Sequence, residues 1–210
     1  MATGSPSTKA SLASNPTPNI AASDAVVHLE SVTLIDAPLQ DVWDTLVDTS
    51  TWSAWNKFVP AVTIRQQPES DATQNVSPIL QMGTKMTFHV NMNPTSSQSQ
   101  PNQEAMLTVA ERSPPTSSRN LGRIVWVNDA PAQGRIMASL LTAERVHELS
   151  EVEVPGADGQ VRRMTEVRNW EAQVGALAYV VRWMYGTRLA ECFDLWVQDL
   201  KEYVENKTRG

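Results

Sequence analysis

The chain has 210 residues, of which 41% are hydrophobic, and its formal net charge is −6 at pH 7. A chain of this length can bury a sizeable core within one domain. Its acidic balance provides no basic patch of the kind that nucleic acid or an anionic membrane attracts, so we expect neither as a partner.

The first 24 residues are rich in Ser, Ala, Thr, Asn and Pro. This composition predicts a disordered tail over 1–24 and places the folded domain at 25–210. The tail has neither the apolar core of a secretion signal nor the arginines of a mitochondrial presequence. No apolar run approaches the roughly 18 residues that span a bilayer, so we expect no membrane insertion. The single cysteine, Cys192, cannot form an internal disulfide, which favours a cytoplasmic location.

The folded part begins with a predicted strand and two helices. Val26–Ile35 is rich in β-branched residues and predicts a strand. Pro38 suits the first turn of a helix, and the residues after it form one apolar stripe, namely Val42, Trp43, Leu46 and Val47. Asp48 is expected to end that helix and to cap a short second helix that carries Trp52 and Trp55.

Six further strands and one long helix follow. The strands are predicted at Val62–Gln67, Thr84–Met92, Glu104–Arg112, Arg123–Asn128, Thr142–Val154 and Val161–Ala172. Alternation in the second of these puts Met86 and Phe88 on the buried face and His89 toward solvent. Gly175 ends the last strand, and Ala176–Lys207 predicts a helix whose apolar residues would pack on the sheet.

The opening strand and two helices, with an Asp-x₃-Trp-x₂-Trp pattern over 48–55, resemble the START-like or SRPBCC superfamily. Within it the polyketide cyclase/dehydrase-like group is the most similar, and the resemblance covers 25–207. It implies an α+β helix-grip fold, in which one strand, two helices, six strands and a long helix follow in order. About seven strands would form a curved antiparallel sheet around the C-terminal helix and enclose an apolar ligand cavity.

The register of the final hairpin predicts which polar residues face that cavity. A turn centred on residues 157–158 pairs His147 with Arg168 and Arg145 with Trp170, and opposed residues share a face of the sheet. Five side chains would then face the helix and the cavity: Arg145, His147, Glu166, Arg168 and Trp170. Because buried charges are costly unless paired, these residues are candidates for function, or else form a structural ion-pair network.

Two functions remain open at this stage. The resemblance implies a cofactor-independent enzyme of specialised metabolism that cyclises, dehydrates or isomerises a polyketide-like or other hydrophobic small molecule. His147 would then be the general acid or base, because its ordinary pKa lies nearest neutrality. Arg168 or Arg145 would stabilise an enolate oxygen, and Glu166 would orient or share the proton. The alternative is a non-catalytic protein that binds or transfers a lipid or sterol, since one fold can serve both roles.

The predicted ligand-binding residues are mostly aromatic: Met86, Phe88, Trp126, Trp170, Tyr179, Trp183 and Tyr185. No His-x-x-x-His or Cys-x-x-Cys motif with metal-ligand spacing occurs, so we expect neither a metal nor a cofactor. The expected partner is therefore a hydrophobic small molecule, and the oligomeric state, monomer or homodimer, stays open.

Overall fold

The computed structural model describes residues 15–68, 76–96, 101–156 and 159–209. The strands are β1 (Val27–Ile35), β2 (Ala61–Gln66), β3 (Lys85–Val90), β4 (Gln103–Ser113), β5 (Leu121–Asn128), β6 (Thr142–Pro155) and β7 (Val161–Val174). The helices are α1 (Leu39–Val47), α2 (Trp52–Trp55), α3 (Ala130–Gln133), α4 (Arg135–Leu140) and α5 (Ala176–Arg209). Among the described residues, the short helices α3 and α4 and one 3₁₀ turn, Thr49–Thr51, are the elements that the predicted order does not contain.

The seven strands form one curved antiparallel sheet in the order β1-β7-β6-β5-β4-β3-β2. Helix α5 packs across its inner face, mostly against β1, where the Ser31 hydroxyl donates to the Phe193 carbonyl at 3.0 Å. The predicted α+β class, with a curved antiparallel sheet around a long C-terminal helix, is therefore confirmed. Within the described ranges no helix is long and apolar enough to cross a membrane.

Asp48 ends α1 as predicted, but its side chain caps a 3₁₀ turn and not α2 itself, whose N-cap residue is Thr51. The Asp48 carboxylate accepts a hydrogen bond from the Ser50 backbone N–H at 3.0 Å, in a single 3₁₀ turn between the two helices. Helix α2 then places Trp52 in the core, where its Nε1 donates to the Leu46 carbonyl at 3.1 Å. The Trp52 ring lies 5.0 Å from the ring of Trp196 on α5, so this short helix joins the sheet to the C-terminal helix.

The predicted register of the β6–β7 hairpin is wrong by one residue. His147 pairs with Asn169 and not with Arg168, and Arg145 pairs with Glu171 and not with Trp170. Residues 157–158, on which the predicted turn was centred, lie outside the described residues. Because neighbouring strand residues point to opposite faces, the slip moves Glu166, Arg168 and Trp170 to the outer face of the sheet.

Residues 15–24 lie on that outer face, although the sequence predicted disorder as far as residue 24. Thr17 and Ile20 are buried, with Ile20 only 4% exposed. Residues 1–14 lie outside the described residues. The composition of this segment gave no indication of packing, because its one large apolar residue is surrounded by small and polar ones.

Several hydrogen bonds attach this segment to the sheet. The backbone N–H and the side-chain amide of Asn19 donate to the Glu144 carboxylate at 3.0 and 2.7 Å. The Trp170 indole Nε1 donates to the Pro16 carbonyl at 3.3 Å. Trp170 is therefore buried on the outer face, in a small apolar cluster with Val125 and Val146.

We predict that residues 15–24 stabilise the domain. A chain that starts at residue 25 should lose about 2 kcal/mol of unfolding free energy, since burying one large aliphatic side chain contributes about 1.5–3 kcal/mol. The measurement is thermal and urea unfolding followed by circular dichroism. A chain that starts at residue 15 is the matched control, because it keeps these contacts. Equal stability of the two shortened chains would contradict the prediction.

Candidate functional site

A cavity of about 390 Å³ lies between the inner face of the sheet and the N-terminal half of α5. Its wall is mainly apolar, and it includes Phe58, Phe88, Leu107, Trp126, Val181 and Leu189. Tyr185 and Met137 also line it, from α5 and α4 respectively. A cavity of this size and lining suits a mainly apolar small molecule.

One buried ion pair interrupts the apolar wall. Arg145 Nε donates to Glu171 Oε2 at 2.7 Å, and the Gln173 side-chain amide donates to Glu171 Oε1 at 2.5 Å. The side chains of Arg145 and Glu171 are only 12% and 8% exposed. Since Glu171 and Gln173 share a face of β7 and Arg145 opposes Glu171 on β6, the register alone brings these three groups together.

Arg145 is held in place by aromatic rings. Its guanidinium carbon lies 4.3 Å from the centre of the Phe193 ring and 5.7 Å from that of Phe58, which are cation–π distances. Its Nη1 and Nη2 groups have no hydrogen-bond partner among the residues that the structure describes. The guanidinium is therefore fixed by one edge and keeps donors available for a ligand oxygen.

His147 faces inward as predicted, but it does not line the cavity. It is fully buried, with its ring centre 4.3 Å from that of Trp126 and 5.4 Å from that of Trp196. Burial lowers the pKa of His147 well below its ordinary value of 6.5, and the positive charge of Arg145 lowers it further. A neutral imidazole behind Trp126 cannot reach a molecule in the cavity as it stands, so His147 is not in place for the predicted acid–base role.

The other predicted residues divide between the wall, the core and the surface. Phe88, Trp126 and Tyr185 line the cavity as predicted, whereas Met86 is buried in the core. Tyr179 and Trp183 are 63% and 84% exposed, on the side of α5 away from the cavity.

Glu166, Arg168 and Trp170 are on the outer face, which corrects their predicted place in the cavity. Arg168 contacts Glu166 at 3.4 Å and Glu30 of β1 at 3.7 Å, so it belongs to a partly exposed surface ion network. In the observed register Arg145 pairs with Glu171, whereas the prediction paired it with Trp170. Because of this error of one residue, the prediction missed both Glu171 and Gln173. Strict alternation from an inward Asn169 was the only signal that could have identified them.

Neither a metal site nor a reactive thiol stands out. Among the described residues, no group of three His, Cys, Asp or Glu side chains is arranged to hold a metal ion. Burial raises the pKa of the Cys192 thiol to about 11, which keeps it protonated and unreactive at neutral pH.

The chain is 42% identical over 193 residues to "Oxopyrrolidines biosynthesis cluster protein O" of Penicillium oxalicum, a match that covers 91% of this chain and 93% of that protein. No family model matches the chain. A crystal structure of a hypothetical protein from Helicobacter pylori aligns with a TM-score of 0.58 at 16% identity, covering 85% of this chain and 86% of that one. A solution structure from Thermobifida fusca aligns over 85% of this chain and 93% of that one, with a TM-score of 0.48 at 20% identity. At 16% identity the Helicobacter pylori structure shows the fold alone.

We predict that buried His147 makes stability depend on pH. Below about pH 6.5 the unfolded chain binds a proton at this residue that the folded chain does not, because the pKa is lowered only in the fold. The unfolding free energy should therefore fall by about 1 kcal/mol between about pH 7 and pH 5.5 on account of His147.

Urea unfolding of the wild-type chain and of His147→Phe at both pH values measures this effect. The variant should lose that part of the pH dependence. His89→Gln is the matched control, because His89 is partly exposed on the outer face and its loss should leave the dependence in place. The same pH dependence in His147→Phe and in the wild type would show that His147 does not contribute.

Proposed function

We propose that this chain, which belongs to the family of the oxopyrrolidines biosynthesis cluster protein O of Penicillium oxalicum, is an enzyme of specialised metabolism. It binds an apolar, oxygen-bearing small molecule in the cavity and acts on it by acid–base chemistry, without a cofactor. The observation that carries the proposal is the buried Arg145–Glu171 pair, held by Gln173, on an otherwise mainly apolar wall.

The cavity and the relative both support this substrate class. An apolar wall selects a hydrophobic skeleton, and a few fixed polar groups select the position of its oxygen atoms. The relative's name assigns it to the biosynthesis of oxopyrrolidines, which carry a carbonyl oxygen on a small ring. The resemblance to the polyketide cyclase/dehydrase-like group of the START-like superfamily favours cyclisation, dehydration or isomerisation as the reaction.

The three polar groups provide the parts of an enolisation. The substrate carbonyl oxygen accepts a hydrogen bond from an Nη group of Arg145, and a lone pair of the Glu171 carboxylate takes the proton from the adjacent carbon. The C–H electron pair forms the carbon–carbon double bond, and the negative charge that develops on oxygen lies beside the guanidinium. Return of the proton to another position isomerises the substrate, whereas departure of a neighbouring hydroxyl with a proton dehydrates it.

Gln173 and the aromatic rings supply the positioning. Gln173 donates to the second carboxylate oxygen, which fixes the plane of Glu171, and Phe193 fixes the plane of Arg145. Groups fixed in this way lose little conformational freedom when the transition state forms. A pair of free side chains on a loop would not offer the same advantage.

A second candidate function is binding or transfer of a hydrophobic ligand without reaction. The observation that favours it is the pairing itself, because Arg145 neutralises Glu171 and the pair adds no net charge to the cavity wall. A paired wall of this kind holds a lipid or sterol oxygen as well as it holds a reacting carbonyl.

Hydrogen–deuterium exchange of an enolisable apolar ketone distinguishes the two functions. β-Tetralone in D₂O should exchange the hydrogens beside its carbonyl faster with the protein than in buffer, as followed by proton NMR. Glu171→Gln should slow this exchange about 10²-fold or more, as expected for loss of a positioned proton acceptor. Arg145→Met should slow it as well, because the oxyanion then forms without its cation.

Two controls come from the same hairpin. Glu166→Gln and Arg168→Met change the same residue types on the outer face and should leave the exchange rate unchanged. Removing one partner of a buried ion pair can cost about 3–5 kcal/mol, so the fold of each single variant is checked. The double variant Arg145→Met with Glu171→Leu removes both charges together and therefore leaves no unpaired charge in the core. Saturable β-tetralone binding without any exchange above the buffer rate would reject the enzyme and leave the binding protein.

A further inference from the structure

His147 and Asn169 form a buried polar pair behind the cavity. They oppose each other across β6 and β7 on the inner face of the sheet, and both are 0% exposed. Neither ring nitrogen of His147 and neither amide atom of Asn169 has a hydrogen-bond partner among the described residues. The two side chains are neighbours, yet they do not bond to each other.

Two tryptophan rings extend this polar group. Trp126 and Trp196 both contact the imidazole, and their own ring centres lie 5.8 Å apart. The indole N–H of each is buried and also lacks a partner among the described residues. Four neighbouring residues thus combine unpaired polar atoms in the centre of an aromatic core.

So many unpaired groups together are unusual in a folded protein. A buried polar group without a partner costs about 1–3 kcal/mol, and the large majority of buried side-chain polar atoms have one. Burial keeps His147 neutral, so its ring offers one donor and one acceptor. Asn169 adds an amide group with two N–H donors and one accepting carbonyl oxygen, and each indole adds a donor. Donors therefore outnumber acceptors, and the complementary ligand atom is one that accepts hydrogen bonds.

We propose that His147, Asn169, Trp126 and Trp196 form a buried recognition site for one neutral oxygen atom. That oxygen belongs to a carbonyl or hydroxyl of the cavity ligand, or to a water molecule in its place. An anion does not fit, because the nearby cation, Arg145, is already paired with Glu171, and an uncompensated buried charge is costly.

Trp126 connects this site to the cavity. Its ring lines the cavity wall and also contacts His147. In this proposal a rotation of the Trp126 side chain opens the path by which a ligand whose carbonyl lies at Arg145 places a second oxygen at His147. The ligand part of this inference rests on the proposed function, whereas the water part stands without it.

A crystal structure of the unmodified full chain tests the site directly. Without ligand, we expect electron density for one water oxygen within hydrogen-bond distance, about 3.2 Å, of a His147 ring nitrogen and of the Asn169 amide. A second crystal, soaked with the hydroxylated probe 6-hydroxy-β-tetralone, distinguishes the sources. Displacement of the water by the probe's hydroxyl assigns the site to the ligand, and a retained water beside bound probe assigns it to water. Absence of any density between these residues in both crystals overturns the proposal.

A variant provides the independent measurement. Asn169→Leu keeps the approximate shape of the side chain and removes its hydrogen-bonding groups. If an oxygen occupies the site, the melting temperature falls, because that oxygen loses its partner on Asn169. If the site is dry and unpaired, removal of the amide relieves a penalty and the melting temperature rises, which overturns the proposal. If the crystal shows a water between His147 and Asn169 but the protein does not accelerate hydrogen–deuterium exchange of β-tetralone, the site exists and the proposed enzyme function has failed.

Discussion

The pairing of β6 with β7 determines which chemical groups reach the cavity. The two strands run side by side from the pair Thr142–Val174 to the pair Pro155–Val161, so one register governs the whole length of the hairpin. In this register Arg145 and Glu171 meet on the inner face, and Glu166 and Arg168 meet on the outer one. A slip of one residue on β7 would turn Glu166 to the inner face and Glu171 to the outer face, because side chains alternate with a period of two.

The outer face of this hairpin is unusual in being partly covered as well. Residues 15–24 lie across it, bury Trp170 and hydrogen-bond to Glu144. The predicted register placed Trp170 inward because it centred the hairpin turn on residues 157–158. The strand pattern could not correct this error, because a Trp170 that faces outward beneath residues 15–24 is as buried as one that faces the core.

The fold itself could be predicted because several independent local signals agree on it. The Asp48 cap, the Trp52 and Trp55 pair and the final helix after Gly175 each required only neighbouring residues. On α5 the apolar stripe of Leu189, Phe193 and Trp196 is buried as predicted. The cavity residues Phe88, Trp126 and Arg145 followed from the strand pattern and the resemblance together.

The rest of the site could not be predicted, because it depends on spatial relationships that the pattern does not contain. Tyr179 and Trp183 look like a continuation of the α5 stripe, but both side chains are largely exposed. His147 points inward as expected, but the Trp126 ring lies between it and the cavity, and its neutral state follows from its burial. Helical and strand periods give the direction of a side chain and not the depth at which it lies.

Backbone nuclear Overhauser contacts across the hairpin test the central claim most directly. In the isotope-labelled full chain, the structure predicts cross-strand contacts that link His147 with Asn169 and Arg145 with Glu171. If these contacts are observed, Glu171 lies in the cavity and Trp170 lies beneath residues 15–24. Contacts that link His147 with Arg168 and Arg145 with Trp170 in their place would turn β7 over, and would contradict both the candidate site and the function proposed from it.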